Sequence, residues 1–154
     1  MISFERTTQA EVYAILSKHL KDTHLTGVER REHDWFFDFA SGMKLTAFGP
    51  WRIIANGQIA LASEDDGQKF GLPAAVAGES LALKLLGESP VGNLSVRDET
   101  SDLVIVFYSG AVLEILNMSM GYEGWWAGME SLEIVAQGGG QLAISTVGNQ
   151  TRPK

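Results

Sequence analysis

Apolar positions along this chain change their spacing several times, and each change predicts an element. Val12, Ile15, Leu16 and Leu20 recur on one face of a helix, and Thr8 with Glu11 has the spacing of a capping box ahead of them. A helix over 9–21 is expected. Beyond it the pattern becomes that of strands, whose successive side chains point to opposite faces. A strand is expected over 25–31. A hairpin then joins 35–40 to 43–48 through Ser41-Gly42, and a second joins 51–55 to 58–63 through Asn56-Gly57. Asn-Gly is the strongest short signal for a tight hairpin, because both turn residues need a positive φ.

The polar, glycine-punctuated stretch from Ser63 to Pro73 resets this grammar. Pro73 suits the first turn of a helix, so a second helix is expected over 74–86, closing at Gly87. Gly78 inside it costs about 1 kcal/mol relative to alanine and marks a frayed or closely packed point. A strand over 94–98 follows, then a hairpin of 103–108 with 111–116, and a last pair, 132–136 with 141–146.

The second half repeats the first. Residues 34–45 align without gaps on residues 102–113, with Asp, Phe, Ser, Gly and Leu identical, and 53–61 is echoed by 134–144 with two extra glycines in the turn. Each half reads helix, strand, hairpin, hairpin. The expected fold is therefore α+β: an internal duplication of a helix-plus-antiparallel-hairpins unit, with two helices against antiparallel sheet and pseudo-twofold symmetry. The chain reads as a single domain, 1–154, of two repeats at about 8–72 and 74–147, with a flexible tail over 148–154.

Two segments have no counterpart in the other half. One is the acidic loop, with Glu64, Asp65 and Asp66 before Gly67 and Gln68; the other is the insertion 117–129, holding Tyr122, Trp125, Trp126 and three methionines among three glycines. Adjacent Trp125 and Trp126 cannot face one core if extended. Tyr and Trp are common interface anchors and methionine adapts to several partner shapes. Against this stands a purely architectural reading, in which the insertion is a lid buried on its own sheet and the acidic loop is a solvated turn.

Composition narrows the chemistry. The chain has 154 residues, 45% of them apolar and 20% charged, with no cysteine, so disulfides and thiolate metal sites are excluded. A net charge of −7 argues against nucleic acid as a partner and permits a basic protein. The start has no apolar signal segment and no run approaches a membrane span, so a cytoplasmic location without membrane contact is expected. Nucleophile elbows and zinc-protease motifs are lacking. The acidic loop lacks EF-hand spacing, and His19, His24 and His33 do not fall at metal-ligand spacing. No cofactor, metal or catalytic residue is assigned.

Trp51-Arg52-Ile53-Ile54, Gly57-Gln58-Ile59, Ser63-Glu64-Asp65, Gly67-Gln68, Phe70-Gly71-Leu72-Pro73, and Gly121-Tyr122-Glu123 with Trp125 together resemble the recurring phrases of a group of small bacterial proteins without an established activity. The resemblance spans roughly 25–126, and the analogy of size and acidity implies an immunity-type protein of a toxin system. Its phrases fall mainly on the two unmatched segments, which places Glu64, Asp65 and Gln68 near Tyr122, Glu123 and Trp125, with Trp51 and Arg52 joining them. The candidate binding residues are thus Trp51, Arg52, Glu64, Asp65, Gln68, Tyr122, Glu123, Trp125 and Trp126. Three readings stay open: a non-catalytic protein-binding or regulatory protein, a small-ligand protein or enzyme using the acidic loop's carboxylates, and a structural homodimer subunit.

Overall fold

The computed structural model describes residues 3–146. A three-residue strand, β1 (Glu5–Thr7), precedes helix α1 (Gln9–Leu20), whose first turn is capped where the Thr8 hydroxyl accepts the N–H of Glu11 at 3.1 Å. The meander β2 (Leu25–Arg30), β3 (Trp35–Phe39), β4 (Lys44–Ala47) follows, then the hairpin β5 (Trp51–Ala55), β6 (Gln58–Ala62). Asn56 and Gly57 take φ of 53° and 77° in that turn, as its type demands. Helix α2 (Gly78–Leu86) opens the second half, followed by β7 (Val91–Val96), β8 (Leu103–Phe107) and β9 (Val112–Ile115), then β10 (Trp125–Met129), β11 (Leu132–Ala136) and β12 (Leu142–Ser145).

These strands form two antiparallel sheets, a seven-stranded one ordered β1-β12-β11-β10-β4-β3-β2 and a five-stranded one ordered β6-β5-β9-β8-β7. The halves exchange partners. The first half's meander continues into β10 and β11, and the second half's meander continues into β5 and β6. Trp51 lies opposite Ile115, and Trp125 opposite Ala47, so the two tryptophans hold matching positions in the two sheets. The chain crosses between sheets twice, at 48–50 and at 116–124. The crossings lie together: Phe48 donates its N–H to the Gly124 carbonyl at 2.9 Å, and Leu116 donates to Pro50 at 3.0 Å.

The sheets meet face to face in one cluster of buried side chains. Trp51 of the five-stranded sheet packs edge-on against Trp35 and Phe37 of the seven-stranded sheet, with ring centroids 4.9 and 5.4 Å apart. Its indole N–H has no acceptor among the described residues, so packing alone holds this ring.

The expected α+β fold is corrected by this arrangement. The described residues are β-rich, with twelve strands in two sheets and two short helices. Each sheet is the other's cover, which leaves the helices only the margins: α1 packs beside β7 and α2 beside β2. The echo of 53–61 in 134–144 is corrected as well. By register β5 matches β10, whereas 134–144 is the β11–β12 pair. Strand β10 escaped the period-two pattern because residues 125–128 are buried on both faces. Trp125 enters the core; Trp126 lies on the opposite face, its ring over Gly128, where any Cβ would run into it.

The second helix starts four residues later than Pro73 implies. Gly67 and Val76 exchange backbone bonds across the loop, Gly67 N–H to Val76 O and Val76 N–H to Gln68 O, both at 2.8 Å, which holds the intervening residues in a closed turn. Gly78 then becomes the first helical residue, and a Cβ there would sit 3.0 Å from Trp35 Cη2. The tail expected over 148–154 lies outside the described residues.

Replacing Trp51 by alanine is expected to lower stability by about 3–5 kcal/mol, because the cavity opens between the two sheets. Ile59→Ala, at a side chain 58% exposed on β6, is expected to change it by less than about 0.5 kcal/mol. Denaturant unfolding of both variants measures the contrast.

Candidate functional site

Two hollows flank the place where the chain crosses between sheets. The first is a cleft of about 410 Å³ between the β2–β3 turn, the first crossing and the acidic loop. Its lining includes Arg30, Arg31, Glu32 and Asp34 from the turn, and Glu64, Asp66 and Gln68 from the loop, with Trp35 and Phe48 supplying aromatic surface. The second is a shallow groove of about 470 Å³ lined by Phe48, Gly121, Tyr122 and Glu123. Phe48 belongs to both.

The charged groups of the cleft are organised by local folding. Arg31 donates through Nε to Asp34 and through Nη2 to the Thr46 hydroxyl at 3.3 Å, and its guanidinium lies 4.9 Å over the Phe36 ring. Arg30 donates to Asp66 Oδ2 at 2.8 Å, while Asp66 Oδ1 accepts the N–H of Gly78 at 2.7 Å and so caps α2 from twelve residues upstream. The Arg30 hydrogen bond holds the Asp66 carboxyl below its ordinary value; partial burial opposes this and the Gly78 N–H adds to it. Among the described residues, no three His, Asp or Glu side chains converge as metal ligands would.

The nine candidate residues separate by environment. Trp51, Trp125 and Trp126 are buried: Trp125 donates its indole N–H to the Ser101 carbonyl at 2.9 Å, and Trp126 donates to Glu133 Oε1 at 3.0 Å. Arg52 lies on the outer face of the five-stranded sheet, bonded to Glu114 at 2.6 Å in a ladder that continues through Arg97 to Asp102. Asp65 accepts the N–H of Ala62 at 2.8 Å and closes its own turn. Glu64 and Gln68 line the cleft, and Tyr122 and Glu123 line the groove, so the acidic loop and the insertion stand on either side of Phe48.

The insertion, minus β10, is a loop whose backbone is held by hydrogen bonds. Asn117 donates its N–H to Asp102 and its amide to the Thr100 carbonyl, both at 2.8 Å. The Ser119 hydroxyl accepts from Gly121 and Tyr122, and the Ser119 carbonyl accepts from Gly139 at 2.9 Å. Gly124 donates to the Ala136 carbonyl at 2.9 Å. From this scaffold Met118, Met120 and Tyr122 project with 73%, 93% and 84% of their surface exposed. Sequence reasoning selected Tyr122 but passed over Met118, Met120, Phe48, Arg30 and Arg31. The alternation Met118-x-Met120-x-Tyr122 was a readable signal; the arginines and Phe48 join the site only through the fold.

Comparison with protein-family models, curated proteins and solved structures finds no match, so the resemblance drawn from the sequence carries no roles to these residues. Among the described residues no helix is long and apolar enough to cross a membrane.

Asp66 stabilises the fold in its ionised form. Its folded pKa is depressed, so its contribution is fully present above the unfolded value and is lost as pH falls through the folded one. Asp66→Ala is expected to cost about 1–2 kcal/mol at neutral pH through the lost cap and ion pair. The gap between variant and parent should close as the solution is acidified below the ordinary carboxylate range, read by denaturant unfolding at a series of pH values.

Proposed function

We propose that this chain is a cytoplasmic, non-catalytic protein of the immunity or regulatory kind, and that it holds another protein through loop 117–124. One observation carries this reading: three large apolar side chains stand almost fully in solvent on a backbone hydrogen-bonded along its length. Exposed methionines and a tyrosine cost hydration free energy in the isolated molecule, roughly 25 cal/mol per Å² of apolar surface, and covering them recovers it. A fixed backbone lowers the ordering entropy lost on binding, which is how a preorganised surface gains affinity. Methionine beside tyrosine supports contact with an irregular apolar surface.

A second reading, a small ligand in the cleft, is favoured by a volume within the usual range for ligand pockets. Two of its four carboxylates speak for architecture instead, since Asp34 and Asp66 each hold an arginine.

The double variant Met120→Ser, Tyr122→Ser is expected to unfold at the same denaturant concentration as the parent. In co-purification with the tagged full-length chain it should recover at least tenfold less of the protein that the parent captures in stoichiometric amount. Equal recovery, or a parent that captures nothing, overturns the proposal.

A further inference from the structure

We infer that the partner segment seated on this surface is basic, with lysine or arginine side chains beside an apolar anchor; the inference rests on the proposed function of loop 117–124. The groove and the cleft share Phe48 in their linings, which places an occupant of the groove beside the cleft. Four carboxylates and two guanidinium groups line that cleft. Arg31 is consumed by Asp34, Thr46 and the Phe36 face, and Arg30 by Asp66, so both cations are engaged from within. Glu32 and Glu64 are left over. Neither has an arginine or lysine partner among the described residues; Glu32 lies 3.7 Å from the His33 imidazole.

The surplus at the cleft therefore has the sign of the whole chain, which carries −7. A basic segment is drawn in at long range by the net charge and oriented at short range by Glu32 and Glu64, while an acidic one is repelled at both stages. The same charges disfavour a second copy of this chain, which would bring one acidic rim against another, and an anionic membrane. The apolar half of the recognition falls in the groove, where Phe48 and Tyr122 offer aromatic surface to an aliphatic or aromatic anchor.

Fluorescence anisotropy of the full-length chain with a labelled leucine–lysine peptide tests this, with a leucine–glutamate peptide as its counterpart. The leucine–lysine peptide is expected to bind and the leucine–glutamate peptide to fail. Glu32→Gln with Glu64→Gln should weaken binding about fivefold to tenfold at low salt and flatten its salt dependence. Met120→Ser with Tyr122→Ser should weaken binding while leaving the salt dependence in place. Unchanged affinity in the glutamate variant, with the loop variant still impaired, overturns the basic-partner inference and leaves the proposed function standing. Unchanged affinity in the loop variant overturns both. No binding of the leucine–lysine peptide, preference for the acidic one, adhesion to phosphatidylcholine vesicles, or self-association abolished by the loop variant would each overturn the basic-partner inference.

Discussion

The edge-on packing of Trp51 against Trp35 and Phe37 is the contact on which the rest of this molecule depends. It lies where the chain leaves one sheet and enters the other, so it fixes both the spacing of the sheets and the path of the first crossing. Trp51 is the first residue of β5, three residues beyond Phe48, and Trp35 is the first of β3 and part of the cleft wall. The core contact and the surface feature are therefore two sides of one structure. Because the Trp51 ring has no hydrogen-bond partner among the described residues, its position is set by shape, and dense packing transmits that position to the crossing.

Exchange of strands between halves follows from the same geometry. A meander of three strands leaves an edge, and an edge with an apolar face must be paired or covered. Here each meander is extended by the other half's hairpin, β10 on β4 and β5 on β9, so neither half closes its sheet alone. The exchange requires two crossings, and these lie together at one end of the sandwich. One is three residues long and passes tightly. The other is longer, and its excess is tied to the turns at 99–101 and 138–140 through Asn117 and Ser119. A loop so tied can present side chains to solvent without losing its own conformation.

Much of the local structure was legible. Thr8, the apolar stripe of α1, Asn56-Gly57 and Gly42 act over a few residues, and their signals survive folding because the physics is local. The start of α2 was not legible from Pro73, because its cap comes from Asp66 and its neighbour is Trp35, both distant along the chain. Strand β10 was hidden because burial on both faces removes the alternation by which a strand is recognised. Residues of both unmatched segments line the two hollows beside Phe48. Sequence could not separate Tyr122, which faces solvent, from Trp125, which is fully buried, since both are aromatic residues in a glycine-rich run.

By itself the sequence determined the antiparallel elements, the repetition of its meander, the acidity and the absence of cysteine chemistry, all of which depend on composition or on neighbours along the chain. Tertiary structure alone decided that the sheets cover each other and leave the helices at the margins. It also decided which aromatic side chains are spent on the core, and that Phe48 joins the acidic cleft to the methionine-bearing loop. The reason is physical: these outcomes depend on strand pairing and ring packing between residues far apart in sequence, and loop closure brings such residues together without leaving a mark on either local pattern.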